Sequence, residues 1–174
     1  MLNIQELLTQ IRKQIDSSHE KVISFSKTHY SYEEWINWEI FDALSKSGYE
    51  CKPKPSYKRH GKSVNERYQA DIYGEGLESG SKFIMEVALV GISTQSKWRK
   101  KIERDREKLS GFVANDKGLK KIQLLVLAAD YPNVLEEWEY WLKCLNFWQE
   151  NKPMIEVSSS RMGEVVICGW SIAT

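Results

Sequence analysis

Two long apolar segments constrain the fold of this chain more than any other feature of its sequence. The segment 82–91 reads KFIMEVALVG and the segment 120–130 reads KKIQLLVLAAD, and neither alternates between apolar and polar residues. Strands of this kind are buried on both faces, as in the parallel sheets of α/β proteins. A highly charged helical pattern separates them, so we expect a right-handed crossover that leaves the two strands parallel. The sequence therefore predicts an α/β fold with helices packed on a sheet.

The remaining patterns predict the order helix, strand, strand, strand, helix, strand, helix, strand, with a mixed central β-sheet. The length of 174 residues fits a single domain spanning 1–174. We expect its core over about 31–129, in αβββαβ order. An N-terminal helix over 1–16 and a C-terminal helix and strand over 132–174 are additions to that core.

The composition limits the class of protein. No apolar run approaches the roughly 20 residues that a membrane span requires, so no membrane partner is expected. Acids and amides interrupt the first residues, which indicates an amphipathic helix rather than a signal peptide and favours a cytoplasmic location. The three cysteines, Cys51, Cys144 and Cys168, are odd in number and far apart, as is typical of reduced thiols.

Positive charge is concentrated in two segments although the net charge is only +1. Residues 52–67 carry six Lys or Arg against one Glu, and residues 97–108 carry seven against three acids. Such clustering favours a phosphate-binding surface, and the alternative is a solvated helix face and a basic loop. The predicted nucleic-acid-binding residues are Lys58, Arg59, Lys62, Arg67, Arg99, Lys100 and Lys101.

Two acids interrupt segments that should be buried strands. Asp71 lies in QADIYG and Glu86 in FIMEVALV, where a bare carboxylate is costly unless it is paired, protonated or bound to a cation. A Gly-rich turn joins the two strands, so the carboxylates can meet at one end of the sheet and hold Mg²⁺. The alternative is a buried salt bridge with Arg67 or Lys82.

A third acid stands beside the apolar stripe of the helix that precedes these strands. Glu39 is next to Ile40 in that helix, so it can lean toward the sheet and join the two strand carboxylates. The alternative is an ordinary carboxylate at the boundary of the core.

The order of these elements and acids resembles the PD-(D/E)XK nuclease core over about 31–129. The matching positions are Glu39 on the first helix, Asp71 on the second strand and Glu86 on the third, with Gln95 at the start of the basic helix. The resemblance implies a restriction-endonuclease-like fold and a nuclease that depends on Mg²⁺ or Mn²⁺, with Asp71 and Glu86 as metal ligands.

The sequence departs from this family at the motif lysine, which would fall at position 88, where the chain has Ala88. Some family members supply a lysine from the following helix, and Lys97 and Lys100 are the candidates here. The resemblance then implies that Gln95 and Lys97 orient water or the scissile phosphate. The alternative for these lysines is simple phosphate contact or exposure to solvent.

The expected function is therefore a metal-dependent endonuclease or exonuclease acting on DNA, in restriction, repair or mobile-element processing. The choice between DNA and RNA stays open at this point. The alternative is a catalytically inactive nuclease-like domain that binds nucleic acid or a protein. A Trp-rich C-terminal helix with Trp138, Trp141 and Trp148 is expected to pack in the core or to form a homodimer face.

Overall fold

A computed structural model describes residues 2–28, 30–91 and 97–173. Helices and strands are mixed along the chain, as expected for an α/β protein. In chain order the elements are α1 (Ile4–Ser26), α2 (Glu33–Lys46), β1 (Tyr49–Pro53), a 3₁₀ turn (Tyr57–Arg59), β2 (Gly61–Lys62), β3 (Ile72–Gly76), β4 (Lys82–Val90), α3 (Lys97–Ser110), β5 (Val113–Ala114), β6 (Lys120–Ala129), α4 (Val134–Leu142), α5 (Asn146–Glu150), β7 (Met154–Ser160) and β8 (Gly163–Ile172).

The central sheet has six strands in the order β1-β3-β4-β6-β8-β7. Strands β4 and β6 are the two apolar segments, and they pair in parallel with α3 as their crossover. All other neighbours in this sheet are antiparallel, which makes the sheet mixed. The predictions of a parallel pair and of a mixed sheet flanked by helices are confirmed. The short strands β2 and β5 form a separate two-stranded ribbon.

Helices cover both faces of the sheet. Helices α1 and α2 pack on one face against a buried cluster that includes Phe83, Met85, Val87 and Leu89 of β4. Helices α3, α4 and α5 pack on the other face, where the core includes Ile84, Ala88 and Val90 of the same strand. Because successive side chains of a strand point to opposite faces, Glu86 belongs to the α3 face. None of the helices among the described residues is long and apolar enough to cross a membrane.

Besides the short ribbon of β2 and β5, three elements differ from the sequence prediction. Helix α1 continues to Ser26 because Val22 and Ile23 extend its buried stripe well past residue 16. The Trp-rich segment is two short helices, with Trp148 buried in the second and Trp141 58% exposed in the first. Strand β7 was not predicted, because its polar end is typical of a loop, and pairing with β8 creates it.

Candidate functional site

The antiparallel register of β3 and β4 brings Asp71 and Glu86 together. Ile72 pairs with Met85, and the N–H of Asp71 donates to the carbonyl of Met85 at 3.0 Å. Residues 71 and 86 are therefore opposite each other one step beyond the last paired position, on the face that α3 covers. The exposed fractions of the two acids are 8% and 1%. The predicted meeting of these carboxylates is observed.

Asp71 is held by four hydrogen-bond donors or cations. Its Oδ2 accepts the backbone N–H of Val87 at 2.8 Å, and its Oδ1 accepts from Lys54 at 2.8 Å. The side-chain amide of Asn37 on α2 donates to Oδ1 at 3.5 Å. Burial alone would raise the pKa of Asp71, but Lys101, Lys54 and the Val87 N–H together hold that pKa below its ordinary value. Asp71 is therefore ionised and fixed in orientation.

Glu86 has a different environment from Asp71. Its Oε1 accepts from the buried hydroxyl of Tyr57 at 2.8 Å and from Lys108 of α3 at 3.1 Å. Burial raises the pKa of Glu86 to about 8, and the nearby carboxylates of Asp105 and Asp71 add to the rise. Lys108 and Tyr57 offset that rise only in part. Glu86 therefore holds a proton for much of the time at neutral pH.

Lys101 of α3 connects the acids of the site. Its Nζ lies 2.7 Å from Asp105, 3.5 Å from Glu33 of α2 and 4.0 Å from Asp71. Burial disfavours the charged amine, but Asp105, Glu33 and Asp71 outweigh burial and raise the pKa of Lys101 above its ordinary value. The amine is therefore an ammonium group at physiological pH, a fixed positive charge beside Asp71.

A cleft of about 530 Å³ opens above these groups. Its lining combines the acids with basic residues that are more exposed, and Arg67 and Arg104 lie at its solvent side. Neither arginine forms an ion pair with another residue in the described part of the chain. The lining residues of the cleft are Glu33, Lys54, Arg67, Tyr68, Gln69, Asp71, Glu86, Lys101, Arg104 and Lys108. An acidic floor beneath a cationic mouth suits an anionic substrate that reacts at the floor.

The structure does not bring Glu39 into this cleft. The Glu39 carboxylate accepts instead from Gln14 at 2.8 Å and from Ser18 at 2.9 Å, both on α1. At roughly 100° per residue, position 39 points about 120° away from position 33, and that side of α2 packs on α1. Glu33 is the α2 acid that faces the cleft, where it accepts from the N–H of Leu89 at 3.3 Å. The expected third acid is corrected from Glu39 to Glu33.

The proposed lysines of α3 are also placed differently. Lys97 and Lys100 are exposed, and neither lines the cleft. Lys101 and Lys108 reach the acids instead, because they share one side of α3 with the buried Asp105. Gln95 lies outside the described residues. The buried salt bridge that stood as the alternative for Asp71 and Glu86 does exist, with Lys54 and Lys108 rather than Arg67 or Lys82.

The predicted nucleic-acid-binding residues divide into three groups. Arg67 and Lys101 line the cleft itself. Lys58 and Arg99 are exposed but already paired, with Glu66 at 2.7 Å and Glu103 at 2.9 Å. The other three are exposed to solvent: Arg59, Lys62 and Lys100. A phosphate at the mouth of the cleft would therefore meet Arg67 and Arg104 first, and Arg104 was missed by the sequence prediction.

The sequence contained a signal for the ionic network of α3, in which the role of Lys101 and the residues Asp105 and Lys108 were not predicted. Lys101, Asp105 and Lys108 are spaced four and three apart, as residues on one side of a helix are, and they flank the apolar positions Ile102 and Leu109. A charged trio within an apolar stripe indicates a buried ionic network. Tyr57 gave no comparable signal, because its contact with Glu86 depends on the path of the loop after β1.

A divalent cation would have few protein ligands here. In the ranges 2–28, 30–91 and 97–173, no three His, Cys, Asp or Glu side chains are grouped as metal ligands. The pair Asp71 and Glu86 nevertheless fits Mg²⁺, which is usually held by one or two carboxylates together with water and phosphate oxygens. Burial raises the pKa of Glu86, and the neighbouring carboxylates of Asp105 and Asp71 raise it further; a bound cation would offset both effects by favouring the ionised carboxylate. Such a cation would share the carboxylate oxygens of Asp71 and Glu86 with Lys54 and Lys108, or it would displace the two lysine side chains.

Comparison of the chain with family models, with curated proteins and with solved structures finds no match. A function for this protein therefore has to be inferred from the chemistry of the cleft.

Proposed function

We propose that this protein is a metal-dependent phosphodiester hydrolase that acts on DNA, with a restriction-endonuclease-like core. The observation that carries the proposal is the placement of Asp71 and Glu86 opposite each other on adjacent strands, beneath a cleft that a lysine of the next helix enters. This arrangement agrees with the resemblance to the PD-(D/E)XK nucleases. Its biological setting would be restriction, repair or mobile-element processing.

In this proposal Lys101 replaces the missing motif lysine. Ala88 is buried in the core beneath α3, so a lysine at that position would have to fit into packed apolar surroundings. Lys101 brings an ammonium group to within 4.0 Å of Asp71 from the helix above. Because its pKa is raised, Lys101 does not act as a base at neutral pH. Its role is to orient the attacking water and to stabilise negative charge on the scissile phosphate.

Asp71 and Glu86 would hold Mg²⁺ or Mn²⁺. When bound, such a cation polarises a phosphoryl oxygen and lowers the pKa of a coordinated water. Asp71 is prepared for this role because the Val87 N–H fixes its carboxylate while leaving it ionised. Glu86 would have to release its proton, and Tyr57 and Lys108 then hold the carboxylate in place.

The substrate is inferred from the charge around the mouth of the cleft. Arg67 and Arg104 line it without ion pairs to described residues, and the exposed Arg59 and Lys62 lie on the neighbouring 3₁₀ turn and β2. Contacts of this kind bind the phosphate backbone and give affinity that depends on salt and not on base sequence.

A second candidate function is binding without catalysis. The observation that favours it is that Lys54 and Lys108 already occupy oxygens of the two acids, at 2.8 and 3.1 Å. In this case the cleft would be a structural ion-pair network in a nuclease-like scaffold, and the basic surface would bind nucleic acid or an acidic partner. Glu86→Gln would then leave nucleic-acid binding unchanged.

The deciding experiment combines calorimetric titration of Mg²⁺ or Mn²⁺ with a plasmid-nicking assay. The test variants are Asp71→Asn and Glu86→Gln, which keep the size of each side chain, and the matched control is Glu39→Gln. We expect wild type and Glu39→Gln to bind metal and nick DNA, and both cleft variants to lose nicking. Folded wild-type protein that neither binds metal nor nicks DNA would leave the binding function as the better explanation.

A second pair of variants tests the assignment of the lysine. Lys101→Met removes the ammonium group beside Asp71, and Lys100→Met removes its exposed neighbour. We expect nicking to be lost only in Lys101→Met. Equal activity of the two variants would reject the role of Lys101 while leaving the roles of Asp71 and Glu86 standing.

A further inference from the structure

The two edges of the central sheet differ in how they are protected. Edge strand β1 has five residues and includes Lys52 and Pro53, which are residue types that discourage another strand from pairing. Edge strand β7 has seven residues, MIEVSSS, with no proline, lysine or glycine among them. Its one neighbour among the described strands is β8, so the backbone groups of its outer side are available.

The side chains of β7 are unusually apolar for an open edge. Met154, Ile155 and Val157 have exposed fractions of 43%, 40% and 42%. The strand has a single charged residue, Glu156, whose carboxylate accepts from Thr9 at 2.8 Å and pairs with Arg12 at 3.1 Å on α1. Glu156 is thus neutralised within its own chain and does not repel an approaching strand.

The sequence of β7 is compatible with antiparallel pairing to its own copy. Val157 is the central residue of Met154–Ser160. A two-fold axis through Val157 would place Ile155 opposite Ser159 of the second strand and Glu156 opposite Ser158. No like charges face each other in this register, and the β-branched Val157 meets its own copy at the axis.

The helices leave this edge open to a second copy. Helix α1 contacts the strand on one face through Arg12 and Thr9. A depression of about 470 Å³ lies on the other side, lined by residues of α4 and α5 together with Ile155. Pairing at the edge would therefore continue the sheet into the second molecule with helices on both faces, as in an isologous two-fold dimer.

We propose that this protein forms a homodimer by antiparallel pairing of β7 with β7 of a second copy, which makes one sheet continuous through both molecules. This interface is distinct from the Trp-rich helix that the sequence suggested. It also lies at the opposite edge of the sheet from β1 and β3, so both clefts stay open in the dimer.

The test is sedimentation equilibrium of the full chain at micromolar concentration. Val157→Lys places two ammonium groups face to face at the two-fold axis, and Ile155→Lys places one ammonium group on each side of that axis. The control Leu77→Lys adds the same charge at an exposed position in the turn between β3 and β4. We expect wild type and Leu77→Lys to be dimers, and both β7 variants to be monomers with unchanged circular dichroism.

Hydrogen exchange of the wild type gives a readout that needs no variant. Amides of β7 should exchange more slowly when the protein concentration is raised, and amides of β1 should not change. A wild-type monomer at high concentration would overturn the proposal. A dimer that survives Ile155→Lys but is lost in Trp141→Ala would also overturn it in favour of the Trp-rich helix. Nicking activity should be unaffected by Ile155→Lys, so failure of the dimer and failure of the nuclease function are separable.

Discussion

Lys108 donates to the carboxyl group of Glu86 at 3.1 Å across a separation of 22 residues, and both side chains are almost completely buried. The same ammonium group lies 2.8 Å from Asp105. One lysine of α3 thus neutralises an acid of its own helix and contacts an acid of the central sheet. This contact fixes α3 over the middle of β4 and gives the helix a role in both stability and chemistry.

Removing this lysine should destabilise the fold strongly. Lys108→Met leaves Asp105 as a buried carboxylate with Lys101 as its one remaining ion-pair partner among the described residues. Loss of one member of a buried ion pair costs about 3–5 kcal/mol. Urea unfolding should show this loss in the free energy of unfolding. The control Lys58→Met removes an exposed ion pair with Glu66, and we expect no measurable change. Similar midpoints for the two variants would contradict the buried network.

The raised pKa of Glu86 predicts how stability depends on pH. The folded protein binds this proton with a pKa of about 8, against an ordinary value of 4.5 in the unfolded chain. Between these values the folded state holds more protons than the unfolded state, so the contribution of Glu86 to stability is full below pH 4.5 and is lost as the pH rises toward 8. The contribution of Glu86 to the free energy of unfolding changes by at most about 1.4 kcal/mol per pH unit.

Glu86→Gln removes this contribution without changing the shape of the side chain. Urea unfolding measures the free energy of unfolding of wild type and variant from pH 5 to pH 8, roughly the span between the two pKa values. The difference between these two free energies should shrink or reverse with rising pH. Glu39→Gln serves as the control, because Glu39 lies outside the cleft. Parallel curves for wild type and Glu86→Gln would show that Glu86 is already ionised in the folded protein.

Metal binding should release a proton at neutral pH. If Mn²⁺ is held by Asp71 and Glu86, the proton on Glu86 has to leave, while Asp71 is already ionised. The apparent binding enthalpy at pH 7 should therefore vary with the ionisation enthalpy of the buffer, with a slope near one proton. At a pH about two units higher the slope should approach zero. A zero slope at both pH values would exclude a protonated Glu86 as a ligand.

Some of this site could be predicted from the sequence. Asp71 and Glu86 are separated by a short Gly-containing turn, and the alternation of β4 puts Glu86 on the same face as Ile84 and Ala88. Local periodicity is sufficient for such a prediction because the two strands are neighbours in both sequence and space. The parallel pairing of β4 with β6 followed from the same continuous apolar pattern.

The rest of the site depends on tertiary packing that local patterns do not specify. Lys101 and Lys108 are residue types that are usually solvated, and their burial follows from the acids that β4 and α3 bring together. Glu39 was misplaced because local patterns do not specify that α1 packs on α2, where Gln14 and Ser18 donate to the Glu39 carboxylate. Strand β7 was missed because pairing with β8 overrides its weak local pattern.

The mouth of the cleft should determine affinity for DNA. Arg67 and Arg104 line the cleft without ion pairs to described residues, so each can neutralise a phosphate and release a counterion. The double variant Arg67→Ala and Arg104→Ala should bind DNA more weakly and lower the slope of log K against log salt by about 2. Arg161→Ala, an exposed arginine in the turn between β7 and β8, should keep the wild-type slope. Fluorescence anisotropy with a labelled duplex over a salt series measures both quantities. If the Arg161 variant lost affinity and the double variant did not, nucleic acid would bind at the far edge of the sheet, and the cleft would not be its site.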